Sequence, residues 1–167
     1  CNALDTLLVH QSRLDDLSSF LTGMADRGVS LHADENSTKK IKAFYPKNLI
    51  SPLTKGGFDT EFLSLQMNLA IVPDLDAALA HIRAHGSGHT DTIVSDTPEH
   101  VMRFLNEVDS SVVMVNASTG FSDGGQFGLG AEIGISTQKL HARGPMGLEA
   151  LTTYKWLVKG TGQTRSP

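Results

Sequence analysis

The 167-residue chain is short of several things, and each shortage excludes a class of protein. It has one cysteine, so no internal disulfide can form, and a reducing, cytoplasmic setting fits. No apolar run approaches the roughly 18 residues that a membrane-spanning helix requires, and Asp5 and His10 interrupt the only early apolar stretch, so no signal peptide is expected. Basic residues are few and scattered: 14 Lys and Arg stand against 18 Asp and Glu, for a net charge of -4. Without a basic stripe, nucleic acid is not an expected partner, and neither is a membrane. The seven histidines are dispersed and no second thiol accompanies Cys1, so no metal site is expected. What remains is 40% hydrophobic and 19% charged, the composition of a single globular domain with one core. The chain opens on Cys1 rather than Met, which reads as a processed, truncated or separately expressed piece.

Apolar spacing along the chain alternates between strand and helix. Residues 6–10 (TLLVH) form a short buried strand, and residues 12–27 place Leu14, Leu17, Phe20, Leu21 and Met24 at helical spacing before Gly28. A strand over 29–32 and a helix over 37–44 follow, then a loop over 46–60 marked by Pro46, Pro52, Gly56 and Gly57. Residues 65–72 make the next strand. Asp74 caps a helix carrying Leu75, Ala78, Leu79 and Ile82, which Gly86 and Gly88 close. Residues 92–95 are a strand, Pro98 opens a helix through Val101, Phe104 and Leu105, and residues 111–116 (SVVMVN) are apolar on both faces, as a central parallel strand should be. The expectation is an α/β fold, a largely parallel sheet flanked by helices. Residues 117–149 are rich in Gly, Ser and Thr with little periodicity, and 151–158 (LTTYKWLV) reads as a strand that leaves its own sheet.

Cys1 is the candidate nucleophile, because a thiol beside a turn gains thiolate stabilisation from backbone N–H groups. A lone cysteine is as readily a small buried hydrophobe, and as a mature N-terminus its own amine would serve as base. Ser87 and His89, within Gly86-Ser87-Gly88-His89-Thr90, supply donors suited to phosphate or carboxylate, although any one glycine-rich loop is more often a helix stop. Asn116 and Ser118 lie just past a strand's carboxyl end, where open α/β sheets gather ligands. Arg143 before Gly144 suits an anion or an ordinary surface. The stretch GQFGLG follows no strand and opens no helix, so a dinucleotide cradle is not expected there.

Three segments carry a resemblance: residues 1–9 (CNALDTLLV), 86–91 (GSGHTD) and 115–155, which includes VNAST and FSDGGQFGLGAEIGISTQKL. They resemble the γ-glutamyl phosphate reductases of the aldehyde dehydrogenase superfamily, and the likeness extends to about Val158. The resemblance implies the superfamily's catalytic α/β domain over 1–149, an oligomerisation strand over 150–158 that joins a second subunit, and a polar tail over 159–167. It also implies NADPH as cofactor, bound mainly by an N-terminal domain that this chain lacks, so that the chain alone is inert. Cys1 would attack the acyl phosphate, and reduction of the resulting thioester would give glutamate 5-semialdehyde, a proline precursor. Glu61 with Phe62 resembles the acidic residue that holds the nicotinamide ribose, and Ser87, His89, Asn116, Ser118 and Arg143 become the substrate-binding set. A homo-oligomer is implied, with glutamate 5-kinase as a further partner. One departure stands out: Gly120 occupies the position where the family carries arginine. Three alternatives stay open: a related enzyme for another acyl phosphate or aldehyde, a non-catalytic assembly module, and an N-terminal cysteine amidohydrolase.

Overall fold

The structure is a computed structural model describing residues 1–166. Its first half is a parallel four-stranded sheet built from β1 (Thr6–His10), β2 (Ser30–Ala33), β3 (Ile50–Pro52) and β4 (Gln66–Val72), in the order β1-β4-β2-β3. β4 is central and has both neighbours parallel to it, which is why Met67, Asn68, Leu69 and Ala70 are all buried in succession. The helices α1 (Leu17–Asp26) and α2 (Glu35–Ile41) connect the first three strands. Leu17, Leu21, Leu31, Ile41 and Leu69 have no exposed surface and form the centre of the core. Full burial of each stabilises by roughly 1.5–3 kcal/mol.

Local chemistry sets the element ends. Gly28, at φ +72°, ends α1: its N–H reaches Ala25 O at 2.9 Å, and Val29 N reaches back to Met24 O at 3.0 Å. Asp34 caps α2 by accepting from Ser37 N at 2.7 Å, so that helix starts ahead of the expected residue 37 and ends at Ile41. The helix expected from residue 12 begins instead as a 3₁₀ turn over Gln11–Asp16, because His10 Nδ1 accepts from Ser12 N and Arg13 departs from helical dihedrals. The loop expected over 46–60 contains β3, a strand of three residues whose register comes from β2 rather than from any periodicity of its own.

The second half repeats the unit on a smaller scale. β5 (Thr90–Ile93) pairs in parallel with β6 (Val112–Val115), and α3 (Leu75–His85) and α4 (Pro98–Glu107) pack on one face through Leu79, Phe104 and Val108. Asp74 caps α3 by accepting from Ala77 N at 2.8 Å, and Pro98 stands in the first turn of α4, as the residue pattern predicts. β6 is not the expected central strand. It belongs to a two-stranded sheet and is half-buried along its whole length, with Val113 packed against the cluster of Leu79, Phe104 and Val108 and Gly144 lying near Val112.

The glycine-rich stretch holds an unforeseen antiparallel hairpin, β7 (Gly134–Ser136) with β8 (Gly144–Met146). Beyond it the expected strand over 151–158 finds no ladder within the chain: Leu151 ends a 3₁₀ turn, and Tyr154, Trp156, Leu157 and Val158 are 79–89% exposed. Among the described residues no helix is long and apolar enough to cross a membrane.

Candidate functional site

Cys1 is a free, exposed thiol just ahead of β1, and its backbone nitrogen lies 3.5 Å from Glu61 Oε1. Asn2 fastens this segment to the loop after β6. Its Nδ2 donates to Ser122 O at 3.1 Å and to Gly120 O at 3.5 Å, and Thr119 Oγ1 donates to Asn2 O at 2.7 Å. Ser118 caps the same loop by accepting from Gly120 N at 3.2 Å. The thiol, Glu61 and the Ser118–Ser122 loop therefore meet although they are far apart in sequence.

His89 forms the buried side of this meeting place. The residue is 3% exposed, and its Nδ1 lies 2.6 Å from Thr90 Oγ1, which in turn donates to the buried Ser122 Oγ at 2.8 Å. A hydroxyl has one proton to give, so with that proton on Ser122 the imidazole carries its own hydrogen on Nδ1 and leaves a lone pair on Nε2. Nε2 has no hydrogen-bond partner among the described residues. Burial pushes the His89 pKa down, against the pull of Glu132, Glu61 and Asp91. A buried imidazole nitrogen without a partner is an unsatisfied polar group of the kind that calls for an explanation.

Two further carboxylates belong to the site and went unnoticed in the sequence. Asp5 is half-buried, and its pKa is raised by burial first and by Glu61 second. Its one signal was position, four residues after the thiol. Glu132 Oε2 accepts from Gly124 N at 2.9 Å and pins the glycine-rich loop. Glycine is required at 124, since a Cβ there would lie 2.9 Å from Ala131 O.

The other sequence-derived residues are placed differently. Ser87 is exposed, and its Oγ accepts from His89 N at 3.2 Å, shaping the turn that presents the imidazole. Asn116, at φ +52°, has its amide committed on both sides: Oδ1 accepts from Ser95 N at 2.9 Å and Nδ2 donates to Ser95 O at 3.1 Å. Arg143 is bound to one residue, with Nη1 at 3.0 Å from Asp109 Oδ1 and Nη2 donating to Asp109 O at 2.6 Å. Lys139 joins the same carboxylate, and these two cations hold the Asp109 pKa below its usual range. Asn116 and Arg143 thus also shape loops, and Arg143 Nε is buried without a partner among the described residues. Among the described residues no three His, Cys, Asp or Glu side chains are grouped to hold a metal ion.

Over 99% of its length the chain is 51% identical to a γ-glutamyl phosphate reductase of Chlorobium limicola, of which it covers 40%. It is 53% identical to that of Salmonella schwarzengrund, covering 99% of this chain and 39% of the relative. Among solved structures, a γ-glutamyl phosphate reductase from Thermotoga maritima superposes with a TM-score of 0.89 at 38% identity, over 99% of this chain and 39% of that one. A propionaldehyde dehydrogenase from Clostridium phytofermentans, 12% identical with a TM-score of 0.60 over 92% of this chain and 42% of that one, shares the fold alone. No family model matches. The chain spans about 40% of the length of the curated relatives it matches.

Proposed function

We propose that this chain supplies the thiol-bearing part of a γ-glutamyl phosphate reductase, a cytoplasmic enzyme that uses NADPH to reduce γ-glutamyl phosphate to glutamate 5-semialdehyde on the way to proline. One observation carries the reading: the likeness to such reductases runs through 99% of the chain at about half identity. The approach of the Cys1 backbone nitrogen to Glu61, and the Asn2 bonds that hold the thiol's segment against the loop after β6, support it from geometry.

Cys1 Sγ, as thiolate, forms a bond to the γ-acyl carbon; the C–O bond to phosphate breaks, phosphate leaves with the electron pair, and a thioester remains on the chain. Backbone N–H groups near Cys1 would stabilise the oxygen that gains charge. His89 Nε2 and Ser87 are the polar contacts for the substrate, with Ser118, Asn116 and Arg143 holding the loops in shape. The residues fit a nicotinamide cofactor: Glu61 is an exposed carboxylate suited to ribose hydroxyls, and the neighbouring Phe62 offers a half-buried apolar face. The cofactor, when bound, supplies the hydride that the thioester accepts. The chain's own part is to hold the thioester, exclude water and orient the acyl group. In this reading residues 150–158 join a second copy of the subunit, and glutamate 5-kinase is the partner that delivers the labile acyl phosphate.

The test is a Cys1→Ser exchange in the enzyme containing this chain. Phosphate-dependent oxidation of glutamate 5-semialdehyde, the reverse reaction, should fall by about a thousandfold or more, with thioester trapping lost. Retention of activity would remove the reading. Gly120 favours a second reading, in which the same chemistry serves an acyl phosphate with a different tail. A Cβ at 120 meets nothing closer than Ser118 Oγ at 3.4 Å, and the residue is exposed, so a side chain has room to leave the backbone there. Gly120→Arg should therefore fold normally and lower the KM for γ-glutamyl phosphate by about tenfold, the effect of one charge-assisted contact. No change in KM would instead favour the different tail.

A further inference from the structure

Residues 57–64 form an arm that leaves the 3₁₀ turn Gly57–Asp59, presents Glu61 and Phe62, and returns toward β4 at Gln66. Glu61, Leu63, Ser64 and Leu65 are exposed, so apolar burial does little to hold it. Histidines on other elements grip it at both ends instead.

At the outgoing end, His32 of β2 stacks on Phe62 with ring centroids 4.8 Å apart and planes within 6° of parallel. His32 Nε2 lies 2.8 Å from Gln66 Oε1, Gln66 Nε2 donates to Ser64 Oγ at 2.9 Å, and Ser64 Oγ donates to Phe62 O at 3.1 Å. The circuit starts and ends on Phe62, and because an amide oxygen only accepts, His32 carries its hydrogen on Nε2. Enclosed by the circuit is Leu63, at φ +52°, a backbone conformation that a leucine rarely adopts and keeps only where its surroundings enforce it. At the incoming end, His85 Nδ1 lies 2.7 Å from Asp59 Oδ1, and Phe58 stands edge-on to His81 at 4.4 Å. His81 and His85 are one turn apart on α3, a spacing easily overlooked in the sequence, and the helix runs on to the loop bearing His89.

We infer that His32 is a positioning residue: through its stack on Phe62 and its bond to Gln66 it fixes the direction in which Glu61 points, while the Asp59–His85 clasp anchors the arm's other end. The consequence for cofactor binding rests on the reading of Glu61 and Phe62 given above; the hold on the arm does not.

Two readouts separate these. The first is amide hydrogen exchange on this chain with His32→Ala and with His32→Phe, which keeps the ring but loses the bond to Gln66. Exchange over residues 60–64 should quicken about tenfold in His32→Ala and less in His32→Phe, with β4 amides unchanged. Unchanged exchange over 60–64 in both variants overturns the positioning role whatever the activity. Uniformly faster exchange in His32→Ala would mark a folding defect, and His32→Phe, which preserves volume, then decides: its 60–64 amides must quicken selectively. The second readout is the KM for the nicotinamide cofactor in the enzyme, expected to rise about tenfold in His32→Ala with a smaller change in kcat and unaltered alkylation of Cys1, and to be largely restored in His32→Phe. Selective exchange with an unmoved KM would leave the positioning standing and count against the cofactor role of Glu61.

Discussion

The four-stranded sheet and the β5–β6 pair use the same parallel strand-helix unit and reach different degrees of closure. The first packs Val9, Leu17, Leu21, Leu31, Ile41 and Leu69 into a cluster with helices and strands interleaved; the second closes on Leu79, Phe104 and Val108 alone, and no residue of β5 or β6 is fully buried. Buried polar groups occur in both, Ser37 and Asn68 in the first and His89 and Ser122 in or beside the second. His89, Asp91, Asn116 and Ser122 all sit in or beside the second unit, tied by side-chain hydrogen bonds. The candidate site spans the border, its thiol on a segment entering the well-packed sheet and its imidazole on one entering the thin one. A rigid frame and a polar, less tightly packed neighbour thus divide the work, one fixing the nucleophile's backbone and the other shaping the pocket.

Leu69→Ala, at the middle of the large core, should cost about 3–5 kcal/mol in urea unfolding and expose amides throughout the chain. Phe104→Ala should cost about 3 kcal/mol, and hydrogen exchange should quicken across β5, β6 and α4 while β1 and β4 stay protected. A global response to Phe104→Ala would show that the two units share one cooperative core. Acid is a gentler probe. The pKa values of His89 and His81 are both lowered in the fold, chiefly by burial, so protonation is more favourable in the unfolded chain. Their contribution to stability is therefore complete above the ordinary histidine value of about 6.5 and is lost as pH falls below it toward the folded-state pKa. Melting between pH 7.5 and 5 should drop by a few degrees, beginning in the second unit, and His81→Phe should flatten the curve. Trp156→Ser should be the smallest change, within about 0.5 kcal/mol in an isolated subunit, because the ring is 83% exposed. A larger loss that depends on protein concentration would reveal the pairing proposed for 150–158.

Much of this was legible in the residues. The strand at 6–10, the capping by Asp74 and Gly28, and the parallel α/β architecture followed from spacing and cap chemistry. β3 and the β7–β8 hairpin did not, because strands of three residues carry too few positions to show a period and exist through their partners. The double-sided apolar face of β6 suggested a central strand; its neighbours in the chain cover one side well and the other sparsely. In the site, Cys1 and His89 stood out as residue types, whereas Asp5, Glu132 and His32 were hidden, since their roles depend on a carboxylate, a loop amide and a ring brought close only by folding. For Asn116 and Arg143 the residue pattern showed donors but not their partners in the fold, the Ser95 backbone for one and Asp109 for the other.

The double bond between Asn116 and Ser95 also sets a limit in time. The side-chain amide stands in for a peptide group and adds one more rung beyond the ends of β5 and β6. Hydrolytic conversion of that amide to a carboxylate, a slow ageing reaction of asparagine, would leave Ser95 N–H satisfied but set a charged oxygen against Ser95 O, where a donor had been. The rung would turn from attractive to repulsive on one side, at the point where the chain turns into the loop that carries Ser118 and Gly120. Old protein would then loosen first at this corner, with its fold otherwise intact.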